Sequence, residues 1–168
     1  SVFIPGSHIV LNIENDFKRW VGQDVVIIPQ KFVEFRRDYK TGLVENSLVG
    51  SRKKVLQILG MNNIHEIYSK WILAESDERV KYVPETYDGV VTGILNSNNK
   101  TGVFVELVDK FITGFMPIDS MDLLDYHPGD PIKVKIHEFE VQEGKDPFNY
   151  NKKGQPVKSN IRPVFELG

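Results

Sequence analysis

Residues Asp24 to Arg36 begin with Val25, Val26, Ile27 and Ile28 and continue through Phe32, Val33 and Phe35 among polar neighbours, a run that reads as extended chain. Pro29 cannot donate to a ladder, so it must fall at an edge, an end or a bulge of that strand. Asp38 to Gly42 reads as a turn. Leu43 to Val49 can return as the second arm of a hairpin, because a short glycine-containing loop between two apolar runs favours that geometry. After Gly50 the period lengthens. Val55, Ile58 and Leu59 lie at helical spacing, and Gly60 falls where helices are commonly closed, so a short helix is expected to stop at Leu59. Asn62 or Asn63 can then cap a second helix with Ile64, Ile67, Tyr68, Trp71 and Ile72 on one face. Two short helices around a glycine turn also admit a helix-turn-helix, with Arg52, Lys53 and Lys54 on phosphates. The plainer account packs Trp71 and its neighbours on a small sheet and leaves the basic run in solvent. Ala74 to Glu85 is polar, contains Pro84 and reads as a linker.

From Tyr87 the pattern becomes one of short strands: Gly89 to Leu95, a polar loop from Asn96 to Thr101, then Gly102 to Leu107, Phe111 to Ile118, Ile132 to Ile136 and Arg162 to Leu167. Five such strands suffice to close a small barrel. Glycines inside them suit tight coiling, where the backbone bends or meets a neighbour. Between the fourth and fifth strands lies Gln142 to Asn160, in which Phe148 and Tyr150 interleave with Lys145, Lys152, Lys153 and Lys158. Asn151 to Gly154 reads as a hairpin tip, so this stretch is expected to form an arm.

Composition narrows the class. With 168 residues, 40% of them hydrophobic, the chain can bury a core, and without cysteine it has neither disulfides nor a zinc-thiolate site. No apolar run approaches the eighteen or so residues of a membrane span, and Ser1 to Val10 lacks the basic flank of a signal peptide, so a cytoplasmic location and no membrane partner are expected. Net charge is -2, whereas neutralising phosphates usually brings a basic excess. The residues after Thr86 carry 9 Lys+Arg against 12 Asp+Glu, so any basic face there must be local.

The run Asp88-Gly89-Val90-Val91-Thr92-Gly93-Ile94, then Gly102-Val103-Phe104-Val105-Glu106-Leu107, Gly114-Phe115-Met116-Pro117-Ile118 and Pro128-Gly129-Asp130-Pro131-Ile132-Lys133-Val134-Lys135-Ile136 resembles the S-one type of RNA-binding repeat in order and in most spacings. The resemblance covers Tyr87 to Val141 and the last strand. It implies a five-stranded OB-fold barrel over 87–168; the residues themselves add a hairpin insertion at 142–160 and, before the barrel, a small mixed domain over residues 1–80, so the chain is expected to be α+β. It further implies single-stranded RNA on the exposed face of the second and third barrel strands, with aromatics stacking on bases and Arg or Lys on the backbone. Phe104 occupies one aromatic position of the family. The position before Gly102, often aromatic, is Thr101, and the family's frequent histidine after the third-strand glycine is replaced by Pro117. Binding is therefore expected to be weakened or relocated.

The expected binding residues are Phe104, Phe115 and Tyr150 for stacking, and Lys100, Lys152, Lys153 and Arg162 for phosphates. The alternative is a protein-interaction module of a larger assembly, ribosome-associated, transcription-related or phage, engaged through the 142–160 arm. His8, His65, His127 and His137 lack metal-site spacing, and Asp119, Asp122, Asp125 and Asp130 lack the pattern of a calcium hand. With no phosphate loop or dinucleotide fingerprint either, no catalytic residue, metal, cofactor or small-molecule substrate is expected.

Overall fold

A computed structural model describes residues 2–10 and 17–168; within the strands, the side chains of Phe35, Arg36 and Glu45 lie outside the described set. The chain is mixed α+β. The N-terminal part holds β1 (Val2–Phe3), β2 (Ile28–Arg37) and β3 (Val44–Ser51) in the order β1-β3-β2. The β2–β3 hairpin falls where the alternation placed it, and Pro29 sits on an edge strand beside a bulge at Pro29/Lys31. Strand β1, parallel to β3, is too short to leave a periodic signal.

Ser51 closes β3 and caps the helix that starts at Arg52, its hydroxyl accepting from the Lys54 amide at 3.1 Å. The helical run continues without a break through α1 (Arg52–Val55), a π-helical turn (Leu56–Gly60) and α2 (Met61–Ser76). This corrects the two-helix expectation and removes the helix-turn-helix. Gly60 keeps helical angles (φ -62°, ψ -41°) and does not end the helix. It is glycine because a Cβ there would run into the backbone carbonyl of Phe111. Nor do the asparagines cap: Asn63 instead donates from Nδ2 to the Lys110 carbonyl at 2.6 Å.

Strands β4 (Tyr87–Asn96), β5 (Thr101–Leu107), β6 (Ile112–Pro117), β7 (Pro131–Val141) and β10 (Ile161–Leu167) form a five-stranded OB-like sheet. They pair in the ring β10-β6-β5-β4-β7, with β7 returning to β10. Alternation sends Val103, Val105 and Leu107 of β5 inward with Val91, Met116, Val134, Ile136 and Phe165. Gly114 lets the ring close, since a Cβ there would stand 2.6 Å from the Pro163 carbonyl. Ile64 of α2 enters the same core, with Met61, Ile67 and Tyr68 packed at its margin. Between β7 and β10 the chain forms the expected arm, with β8 (Phe148–Tyr150) and β9 (Pro156–Ser159) joined by a tight turn at Gly154, φ 77°. Strand β7 outruns the predicted Ile132 to Ile136 because its far half pairs with the start of β10, as in Val141 with Ile161.

Candidate nucleic-acid interface

The outer face of β5 and β6 is a ladder of three cross-strand pairs: Gly102 with Pro117, Phe104 with Phe115, and Glu106 with Thr113. Its two ends differ. At the Glu106 end the N-terminal part of the chain covers the sheet. The Arg52 guanidinium and the Glu106 carboxylate form a fork-to-fork ion pair, Nη1 to Oε1 at 2.7 Å, and both residues are almost wholly buried at 2% and 1% exposure. Nη1 of Arg52 also donates to the Ile9 carbonyl at 2.9 Å, and the guanidinium lies 4.4 Å from the centre of the Trp20 ring. A carboxylate on an outward strand position would ordinarily face water, so the alternation Gly102, Phe104, Glu106 gave no sign of this burial. Nothing in the basic run of residues 52–54 singled Arg52 out from Lys53 and Lys54.

The other end holds four of the expected binding residues, Lys100, Phe104, Phe115 and Arg162. Lys100 Nζ stands 4.5 Å from the centre of the Phe115 ring and Arg162 Cζ 5.6 Å, one cation from the β4–β5 loop and one from β10. The ring itself is 1% exposed, packs edge-on against Phe104 at 5.4 Å and lies over Gly102, where a Cβ would meet it. Phe104 is 7% exposed. Both rings are walled in, so the structure does not present them as free stacking faces. Thr101 is turned to the chain itself, its hydroxyl donating to the Ile118 carbonyl at 2.5 Å.

Glu140 of β7, which the sequence did not single out, holds both cations: Arg162 Nη2 donates to its carboxylate at 3.1 Å, and Lys100 Nζ lies 3.7 Å away. The hydrogen bond from Arg162 is the largest influence lowering the Glu140 pKa, followed by an opposing desolvation and by the charges of Arg162 and Lys100. A carboxyl with a depressed pKa in the folded chain stabilises the fold above its ordinary titration range and loses that contribution as pH falls through the lowered value. Glu140→Gln is accordingly expected to flatten the decline of the thermal midpoint between about pH 5 and pH 3. An unchanged decline in a pH series of melting curves would show that the carboxylate is not engaged.

Beyond Phe115 the surface opens into a groove of 910 Å³ bordered by Lys100, Phe115, Pro117 and His137 and by the carboxylates of Asp119, Asp122, Asp125, Glu138 and Glu166. Its acidic border opposes a phosphate chain there. Among the described residues no group of three or more His, Cys, Asp or Glu could hold a metal ion.

The remaining expected residues lie on the arm, away from this cluster. Tyr150 is 54% exposed, and its hydroxyl pairs with His65 Nε2 of α2 at 3.0 Å. His65 also stands edge-on to the Phe148 ring at 4.8 Å, so the arm is docked on the helix at its base. Lys152 and Lys153 are exposed at the tip, where the Lys153 amide donates to the Asn151 side chain at 3.0 Å. The structure therefore divides the seven residues between a cation pair over Phe115 and a basic arm tip.

The five-stranded OB-like sheet thus carries two cations over a packed aromatic pair on its outer face. The family model of the S1 RNA binding domain matches residues 84–150, within the C-terminal half of the chain, and supports binding of RNA or another nucleic acid by that half. No curated protein and no solved structure matches the chain. Among the described residues no helix is long and apolar enough to cross a membrane.

Proposed function

We propose that the protein binds single-stranded RNA without chemistry of its own. The observation that carries this reading is the family match at residues 84–150. Lys100 and Arg162 contact the phosphates, released from Glu140 as a stronger anion arrives, while the walled-in Phe115 serves as the shelf that positions both cations. Phe104 supports that shelf, and stacking falls to Tyr150 beside Lys152 and Lys153 on the arm. The test is fluorescence anisotropy of a labelled 12-nucleotide oligouridylate with the full chain at low salt. Saturable binding that weakens with salt is expected, and no binding at high micromolar protein overturns the reading. Lys100→Glu with Arg162→Glu is expected to flatten the log–log salt slope by about 1.4, since each phosphate contact on a single strand contributes about 0.7. Glu140→Gln is expected to tighten binding by freeing both cations, and a weaker complex would show the carboxylate to be part of the site.

A second reading, a protein-interaction module within a larger assembly, rests on the β2–β3 hairpin, where Phe32, Tyr39 and Leu43 are exposed, Tyr39 at 96%. It is favoured if the oligonucleotide fails to bind while Phe32→Ser with Leu43→Ser abolishes self-association in sedimentation.

A further inference from the structure

The family match runs from residue 84 to 150, so the π-helical turn before it and β9 after it both lie outside it, and they come together beside β6. Between them is a cleft of 490 Å³ lined by, among others, Lys54, Gln57, Phe111, Thr113, Val157 and Lys158. That volume is in the range of small-ligand clefts. No carboxylate lines it, in contrast to the acidic groove beyond Phe115. Lys54 and Lys158 are exposed, and neither takes part in an ion pair among the described residues. Among the described residues the Thr113 hydroxyl oxygen is buried without a hydrogen-bond partner, which ordinarily costs stability and is uncommon.

The backbone around the cleft departs from regular geometry in two places. Phe111 has φ 55°, a left-handed conformation that a bulky residue rarely adopts, and the facing helix makes a π turn, a form that concentrates at functional sites. Gly60 brings that turn against the Phe111 carbonyl, so the two irregular segments hold each other in place. Phe111, Ile58 and Val157 supply apolar wall, two lysines supply positive charge at the rim, and one hydroxyl is left to bond.

From this combination we infer that the cleft binds one nucleotide of a single-stranded RNA. The base lies against Phe111 and the apolar wall, the phosphate meets Lys54 and Lys158, and Thr113 bonds the sugar or base edge. The inference rests on the RNA-binding reading and places a second contact toward the Glu106–Thr113 end of the β5–β6 face, built in part by residues outside the family match.

The experiment uses the full chain and the same labelled 12-nucleotide oligouridylate. Lys54→Ala with Lys158→Ala is expected to weaken binding about tenfold and to lower the log–log salt slope by about 1.4. Thr113→Val is expected to weaken binding severalfold while leaving the thermal midpoint unchanged or raised, because it removes an unpaired hydroxyl at nearly constant shape. A purely structural threonine would give no affinity change. If the wild type binds and both variants bind as tightly, the cleft assignment is overturned and the RNA-binding reading stands. If the wild type does not bind at all, both fall. If oligoglutamate of equal charge displaces the oligonucleotide from wild type but not from the lysine variant, the cleft is a general anion site and the nucleotide assignment is overturned.

Discussion

Glu106→Ala is expected to lower the unfolding free energy of the full chain by about 3–5 kcal/mol, because it strands the Arg52 guanidinium in a site from which water is excluded. Arg52 is 2% exposed, and its remaining partners among the described residues are the Ile9 carbonyl and the Trp20 ring face, neither of which carries a formal charge. Breaking a buried ion pair on one side costs more than the pair was worth, since the survivor keeps its desolvation penalty and loses its compensation. Against a total stability of about 5–15 kcal/mol for a domain, the loss should move a urea midpoint far to the left. The double change Arg52→Met with Glu106→Leu should recover most of it, because apolar residues of similar volume need no counter-charge. A Glu106→Ala midpoint close to wild type would mean that water reaches the pair, and hence that the N-terminal part does not seal this end of the sheet in solution.

Gly60→Ala is a test of sign. In an ordinary helix interior that substitution stabilises by about 1 kcal/mol, through a smaller entropy loss on folding. Here the added Cβ meets the Phe111 carbonyl, a backbone atom that cannot rotate away, so helix and barrel must separate locally. Overpacking of this kind costs about 1–3 kcal/mol, and a net loss of about 2 kcal/mol or less is expected despite the better helix propensity. A gain in thermal midpoint would show that the π turn and the Phe111 segment do not press together.

The barrel was legible because its strands repeat one local rule, apolar residues inward at every second position with glycine where backbones must approach, and that rule holds through Val103, Val105 and Leu107 of β5 and slips by one residue in β4 only at the bulge between Val91 and Gly93. The helical run misled for a physical reason. A glycine after an apolar pair at helical spacing usually signals a cap, but Gly60 answers to a carbonyl 51 positions further on, and sequence spacing carries no trace of that contact. The candidate site was legible as residue types and not as geometry. Lys100, Arg162 and Phe115 do converge, yet the burial of the ring follows from Phe104 and Gly102 packing around it. Glu140 escaped notice, and His65 was weighed only as a metal ligand, since each is unremarkable until β7 meets β10 and the arm meets α2.

The π turn between α1 and α2 sets a phase. A π turn absorbs one extra residue, and one residue in a regular helix turns the chain by about 100°, so rewinding Leu56–Gly60 as regular α-helix at the same length would rotate α2 by about that angle relative to Arg52. Arg52 reaching Glu106 and Ile64 reaching the barrel core would then no longer be satisfied together. Homologous chains that keep both contacts are expected either to keep the π turn or to lose it together with one residue, and to tolerate substitution there far better than a single insertion.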